Sequence, residues 1–98
     1  MRESDIERHL VKRVKALGGE VRKVQWIGRR GAPDRLVMLP YSMKNGIVEY
    51  TPRSIWIELK ATGKVPERHQ QREHDILRGF GQRVVVIDCM EGVDALLA

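Results

Sequence analysis

The segment Ser54–Lys60, SIWIELK, constrains the fold most strongly, because it has the composition of a buried β-strand and still carries two charges. Side chains along a strand alternate between two faces. The aliphatic residues at positions 55, 57 and 59 therefore share one face, and Glu58 and Lys60 share the other. Burying a charge is costly unless another group compensates it. The pattern predicts a strand with one face in the core and two charges directed at a compensating partner.

The remaining patterns predict one α/β domain over residues 1–98, with the element order αβββαβα and a small mixed central sheet. Ser4–Glu7 has the sequence of a capping box, and a pair of glycines ends the first helix. Residues 46–50 are a possible extension of a hairpin. The predicted elements are a helix at 4–17, strands at 20–27, 34–39 and 54–60, a helix at 67–79, a strand at 83–89 and a short helix at 93–97.

Composition limits the partners and the compartment. The net charge of +5 and a pI near 9.8 favour a polyanionic partner, with nucleic acid first. Cys89 is the single cysteine, which rules out an internal disulfide and fits a reducing compartment. We expect it to be a small buried residue. The sequence shows no signal peptide and no apolar run long enough to span a membrane, so we expect a cytoplasmic protein that does not enter one.

Two carboxylates are predicted to meet at one end of the sheet. Asp34 opens the second strand and Glu58 closes the third, and antiparallel neighbours place the start of one beside the end of the other. Two converging carboxylates repel unless a cation joins them, and oxygen ligands suit Mg²⁺ or Mn²⁺. The backbone carbonyl of Leu59 is a further candidate ligand. Lys60 beside such a site could stabilise a developing phosphorane or orient an attacking water.

Basic residues near these carboxylates are candidates for contacts with DNA phosphates. The loop 28–31 directly precedes Asp34 and contributes two arginines. His69 and His74 point about 140° apart on a helix and do not suit a zinc site. These two and His9 are predicted to be surface or DNA-facing residues. A phosphate-binding NTPase loop is poorly supported, because Val65 follows Gly63-Lys64 and Glu58 stands where that motif requires a glycine. The candidate DNA contacts are Arg29, Arg30, Arg35 and Lys64.

The combination Pro33-Asp34 with Glu58-Leu59-Lys60 is similar to the PD-(D/E)xK motif of restriction-endonuclease-like nucleases. Its context is richer than that short motif. The stretches GGEVRKVQWIGRRGAPDRLVML and IWIELKATGKVPERHQQREHDILRGFGQRVVVID resemble the virus-type replication-repair nuclease (VRR-Nuc) family. The resemblance extends from the first helix to Asp88. It is greatest to the short stand-alone members of phages and bacteria, and it implies a restriction-endonuclease-like core.

The resemblance implies a role for individual residues. Asp34 and Glu58 match the metal-binding acids, and Lys60 matches the motif lysine. Glu7 matches an acidic residue on the first helix of the superfamily, where it would support a second ion. It falls within the predicted apolar stripe of that helix, and Glu3 projects the same way and stays an alternative. Gln70 matches a glutamine on the second helix, with the adjacent Gln71 as the alternative. The predicted stripe consists of Ile6, Leu10, Val11, Val14 and Leu17.

The resemblance also implies a function. We expect an Mg²⁺- or Mn²⁺-dependent endonuclease of DNA repair that cleaves Holliday junctions or other branched DNA as a homodimer, in a bacterium or a phage-infected host cell. A symmetric dimer offers two related sites to a four-way junction. Two alternatives stay open: a non-catalytic DNA-binding module that keeps the nuclease fold, and a small hydrolase that acts on nucleotides.

Overall fold

The computed structural model describes residues 1–98, apart from the side chain of Tyr50. Within this part of the chain the predicted element order is present, with one extra hairpin between the second and third predicted strands. The elements are α1 (Glu3–Ala16), β1 (Glu20–Lys23), β2 (Arg35–Leu39), β3 (Ser42–Lys44), β4 (Ile47–Tyr50), β5 (Arg53–Leu59), α2 (Arg68–Gly79), β6 (Val84–Ile87) and α3 (Met90–Leu97). No helix of the described residues has the length and apolar character needed to cross a bilayer.

The central sheet has four strands in the order β1-β2-β5-β6. The first three are antiparallel neighbours, and β6 runs parallel to β5. A parallel pair needs a crossover connection, which α2 supplies between these two strands. The prediction of a small mixed sheet in an α/β chain is therefore confirmed.

The alternation predicted for β5 is confirmed. Ile55 and Ile57 are fully buried and Leu59 is nearly so. They belong to one apolar core with Ile6 and Leu10 of α1, and with residues of β2, β6 and α3. Because this face of β5 is anchored in the core, the opposite face that carries Glu58 has a fixed direction.

The first helix differs from the prediction at its start and along its stripe. It begins at Glu3, so Ser4 lies inside the first turn and cannot cap it; Arg2 occupies the cap position and makes no side-chain cap bond. The buried stripe is also narrower than predicted, because Val11 and Leu17 are 41% and 45% exposed. Its buried members are Ile6, Leu10 and Val14, which are spaced four residues apart.

The first strand is shorter than predicted. It ends at Lys23, although the N–H of Val24 still donates to the carbonyl of Asp34 at 2.9 Å. Residues 25–34 then form a loop that Trp26 closes, since its indole N–H donates to the carbonyl of Pro33 at 2.8 Å. This loop precedes the predicted carboxylate site and forms one wall beside it.

Two further regions are more regular than predicted. Strands β3 and β4 form a hairpin whose turn residues, Asn45 and Gly46, both have positive φ, as a tight two-residue turn requires. The last helix begins at Met90 because Cys89 caps it: the thiol Sγ accepts the N–H of Gly92 at 3.3 Å. Cys89 is half-buried, whereas we expected a fully buried small residue.

Candidate active site

Strand pairing brings Asp34 and Glu58 together at one end of the sheet. Arg35 of β2 pairs with Ile57 of β5 in an antiparallel register. Extending that register by one residue places Asp34 opposite Glu58. The two carboxyl side chains differ in exposure, at 51% for Asp34 and 11% for Glu58. The predicted pair of carboxylates therefore consists of one that is open to solvent and one that is buried.

Glu58 lies in an environment that disfavours its negative charge. Burial is the main cause that raises its pKa from the ordinary value of 4.5 to about 7. The charge of Lys60 acts in the opposite direction, and the charges of Asp34 and Glu3 raise the pKa further. Without a cation, the negative charges of Asp34 and Glu3 therefore disfavour a negative charge on Glu58. A positive ion at this place would relieve that repulsion.

Lys60 is held in place by Gln70. The lysine Nζ donates to Gln70 Oε1 at 2.8 Å, and the same oxygen accepts the backbone N–H of Glu67 at 2.9 Å. Gln70 thus closes the first turn of α2 and fixes the lysine at the end of β5. Of the two adjacent glutamines, Gln70 contacts Lys60, whereas Gln71 is exposed. The preference for Gln70 agrees with this placement.

The two acids of α1 occupy different places. Glu7 accepts a hydrogen bond from Arg35 at 2.7 Å, and the same guanidinium contacts Asp34 Oδ1 at 2.8 Å. Glu3 instead acts on Glu58 through its charge. The structure therefore places Glu3 within electrostatic range of Glu58 and Glu7 against Arg35. Which of the two acids supports the metal site stays a prediction.

Arg35 does not fit the predicted DNA contact. The residue is 8% exposed and lies between Glu7 and Asp34. Burial alone would lower its pKa, but the hydrogen bond and the charges of these carboxylates outweigh burial and raise the pKa above its ordinary value. Arg35 is a charge partner inside the site, so we withdraw it from the DNA-binding set.

The basic loop is fastened to α2 at two points. Arg29 donates through Nε and Nη2 to the two carboxylate oxygens of Glu73, at 3.0 and 3.3 Å. Gly31 has a φ of +88°, and a Cβ there would lie 3.0 Å from the carbonyl oxygen of His69. Only glycine fits this approach without strain. The loop is consequently positioned against the helix that also carries Gln70.

We expect Arg29→Ala to lower the stability of the protein as well as its affinity for DNA. The change leaves the carboxylate of Glu73, which is 7% exposed, without its guanidinium, and an unpaired buried charge costs about 3 kcal/mol. Arg30→Ala is the matched control, because Arg30 is an exposed arginine on the same loop. Urea unfolding measures the first effect. Equal stability of the two variants would show that the Arg29–Glu73 pair contributes little.

The burial of two polar residues of α2, His74 and Glu73, was not predicted from the sequence. His74 was predicted to lie at the surface, but it is 1% exposed, and its Nε2 lies 3.2 Å from Glu58 Oε1. Burial lowers its pKa and favours a neutral ring. Glu73 was not singled out at all. The sequence did contain a signal for the burial of His74. Positions 70, 74 and 77 share one face of a helix, and Gln70 was predicted to lie on that face.

The DNA contact predicted for Lys64 stays a prediction, and His9 is only partly exposed. Lys64 is exposed and follows a loop that is held to Asp88, whose Oδ2 accepts the N–H of Gly63 at 3.2 Å. His9 pairs with Asp94 at 2.7 Å and so joins α1 to α3. Trp26 and Trp56 pack against each other with ring centroids 5.0 Å apart.

The donor set is suited to a hard divalent ion that keeps part of its water shell. Among the residues that the structure describes, no group of three or more His, Cys, Asp or Glu side chains is arranged to hold a metal ion. Magnesium, however, is usually bound by one or two carboxylates together with water and substrate phosphate. Asp34 and Glu58 match that pattern, and a cation beside them would offset the negative charges of Asp34 and Glu3, which contribute to the raised pKa of Glu58 after burial. The carbonyl of Leu59 stays a predicted ligand.

Two of three comparisons with known proteins find a similar protein. A scan of known family profiles finds no match. A protein of Acyrthosiphon pisum secondary endosymbiont phage 1, named "Putative nuclease p44", is 43% identical over 91 residues, which cover 93% of this chain and 87% of the relative. A solved structure described as a VRR_NUC domain superposes with a TM-score of 0.76 at 36% identity, covering 97% of this chain and 92% of the other.

Proposed function

Because the chain belongs to the VRR-Nuc family of nucleases, we propose that it is a divalent-metal-dependent endonuclease that hydrolyses phosphodiester bonds in branched DNA. The observation that carries this proposal is the convergence of Asp34 and Glu58 at one end of the sheet, with Lys60 beside them. We propose residues 1–98 as a single nuclease domain. The phage origin of the relative supports a role in the cytoplasm of a bacterium or a phage-infected host cell.

Asp34 and Glu58 would hold the ion, with Mg²⁺ or Mn²⁺ as the natural choice. When bound, such an ion stabilises the charge that develops on the phosphate and makes a water molecule a stronger nucleophile. Glu3 is the acid of α1 that acts on Glu58, and we propose it in place of Glu7 as the supporting acid. Glu7 would act indirectly, because it binds the arginine that also contacts Asp34.

Lys60 would place a positive charge against the reacting phosphate or its attacking water. Its ammonium group is a donor with three hydrogens, of which one is used by Gln70. The remaining two are available to the substrate. Gln70 thereby acts as a positioning residue, since it fixes the lysine and binds the start of α2 at the same time.

His74 would position Glu58. A neutral imidazole that donates Nε2–H to Oε1 leaves the second carboxylate oxygen for the ion and fixes the rotation of the carboxyl group. The histidine is buried, so water cannot replace this hydrogen bond readily. We therefore include His74 among the residues on which metal binding depends.

The surface around the site would hold the DNA. The net charge of +5 favours a polyanion, and Arg30 and Lys64 are exposed residues that lie four positions before Asp34 and four positions after Lys60 in the sequence. Arg29 is about half exposed, so it can also contact a phosphate while its Nε and Nη2 bind Glu73. A 98-residue chain offers little surface to a four-way junction, so we propose that it acts as a homodimer with two symmetry-related sites.

A panel of labelled DNAs tests the proposal: linear duplex, flap, splayed arm and four-way junction, each with Mg²⁺, Mn²⁺ or EDTA. We expect cleavage of branched substrates in the presence of metal and little cleavage of the duplex. Melting temperature measured with and without Mn²⁺ separates a nuclease from a binding module, since an ion that binds the folded chain raises its stability. Binding of branched DNA without cleavage and without a thermal shift would favour the non-catalytic module.

A further inference from the structure

A cavity of about 490 Å³ opens beside the proposed metal ligand Asp34. The loop between β1 and β2 forms most of it, and its lining includes Lys23, Gln25, Trp26 and Arg29 as well as Asp34. We call it the Trp26 cavity. Its volume lies in the range of pockets that bind small organic ligands, roughly 300–1,000 Å³. None of the roles proposed above for the carboxylates, Lys60 or His74 uses this space.

The chemistry of the lining fits a nucleotide. Lys23 supplies positive charge for a phosphate, and Gln25 supplies an amide that can donate to and accept from a base edge. Arg29 is paired with Glu73 through Nε and Nη2, so it contributes its Nη1 as a donor. Trp26 supplies an aromatic surface, on which bases of any sequence stack. Asp34 at the border connects the cavity to the place where the phosphodiester would be cleaved.

Trp26 is held in one orientation, as a stacking surface should be. Its indole N–H donates to the carbonyl of Pro33 at 2.8 Å, and its ring packs on Trp56 with centroids 5.0 Å apart and planes tilted by 51°. The adjoining Arg29 is fixed by its two bonds to Glu73. Because the cavity wall is anchored at both places, little conformational entropy is lost when a ligand binds.

We propose that the Trp26 cavity binds one unpaired nucleotide of the DNA, next to the scissile phosphate. This inference rests on the proposed nuclease function and adds a cause for a preference for branched DNA that carries a single-stranded arm. A base that is stacked and paired in a duplex cannot enter a pocket of this kind without leaving the helix, and extrusion costs a few kcal/mol. A base in the single-stranded part of a flap or a splayed arm is already unpaired, so these substrates bind without that cost. The bases of a four-way junction are paired, so a nucleotide at its branch point must first leave its pair.

An abasic scan in wild-type protein tests the inference through binding, independently of cleavage. A splayed-arm DNA carries a single abasic nucleotide, which is moved one position at a time across the branch point. Affinity is measured by fluorescence anisotropy in EDTA. We expect one position to weaken binding at least about fivefold, which is the lower range for loss of one base–aromatic stack. Equal affinity at every position would overturn the inference.

Variants then connect that position to the tryptophan. In Trp26→Leu, the abasic nucleotide at the sensitive position should cause no further loss of affinity, because the stacking surface is already gone. Trp56→Leu is the matched control: it removes the same contact between the two rings but leaves Trp26 in the cavity. The hydrogen bond from the Trp26 indole N–H to the carbonyl of Pro33 still orients the ring, so the abasic effect should persist. An abasic effect that persists in Trp26→Leu would overturn the inference. If that variant does not fold, Trp26→Phe should retain the effect, and the wild-type scan decides by itself.

The outcomes separate this inference from the proposed function. A protein that shows the abasic effect in EDTA but cleaves no DNA with Mg²⁺ has the nucleotide site without the nuclease activity. A protein that cleaves branched DNA with uniform affinity along the scan is a nuclease whose Trp26 cavity does not bind a base. A protein that binds no DNA contradicts both.

Discussion

Replacing Glu58 by glutamine should lower the rate of DNA cleavage by about a thousandfold or more and, at pH 8 without metal, should raise the melting temperature. Loss of a metal ligand removes several kcal/mol of transition-state stabilisation, and about 4 kcal/mol corresponds to a thousandfold. The stability gain arises because glutamine removes a buried negative charge that faces Asp34 and Glu3. We expect an increase of about 4 °C or more, which corresponds to roughly 1 kcal/mol in a chain of this size.

The sign of the stability effect depends on pH. Glu58 has a pKa of about 7 in the folded chain and 4.5 as its ordinary value, so the folded chain binds this proton more tightly. Its contribution to the free energy of unfolding therefore falls as the pH rises from about 4.5 through about 7. Glu58→Gln should exceed wild type in stability at pH 8 and lose that advantage below pH 5.

Melting curves at the two pH values, combined with cleavage assays, check this prediction. Glu49→Gln is the matched control, because Glu49 is an exposed glutamate on β4. It should leave both the melting temperature and cleavage close to wild type. A Glu58→Gln protein that is less stable than wild type at pH 8 would show that its carboxylate is compensated by a partner rather than destabilised by burial.

Replacing His74 by leucine should weaken the response to Mn²⁺ by about 10- to 100-fold, the range found when a residue that orients a metal ligand is lost. The leucine fills the buried space but cannot donate a hydrogen bond to Glu58 Oε1. His74→Gln keeps an N–H donor and should recover part of the response. The measurement is the Mn²⁺ concentration that gives half of the maximal thermal shift, together with the concentration that gives half of the maximal cleavage rate.

His9→Leu is the control for His74→Leu. It also removes a hydrogen bond between a histidine and a carboxylate, but that bond joins α1 to α3 through Asp94. We expect it to lower stability without changing the Mn²⁺ concentration needed for half of the maximal effect. Equal Mn²⁺ responses of the His74→Leu and wild-type proteins would show that Glu58 does not depend on the histidine.

The sheet and the carboxylate pair could be predicted from sequence because both depend on local rules. Alternation along β5 determines which side chains share a face, and antiparallel pairing determines that Asp34 lies opposite Glu58. The burial of Ile55 and Ile57 agrees with the alternation. These rules need no knowledge of how the helices dock.

The surroundings of the carboxylates could not be predicted in the same way, because they depend on the docking of α1 and α2. Helical periodicity left Glu3 and Glu7 on one side of α1, and only the packed helix shows that Glu7 contacts Arg35. Arg35 appeared to be a free basic residue in the sequence, yet it is buried. His74 required the position of α2 relative to β5, although its helical face was available from the sequence.

Cleavage of a labelled four-way junction by wild-type protein and by Asp34→Asn, each with Mn²⁺ and with EDTA, tests the central claim most directly. Asp34 is exposed enough that asparagine should fold normally, which the melting temperature verifies. We predict cleavage by the wild-type protein with Mn²⁺ and none in the other three reactions. Cleavage by the wild-type protein in EDTA, or by folded Asp34→Asn at the wild-type rate with Mn²⁺, would contradict a metal-dependent nuclease centred on Asp34 and Glu58.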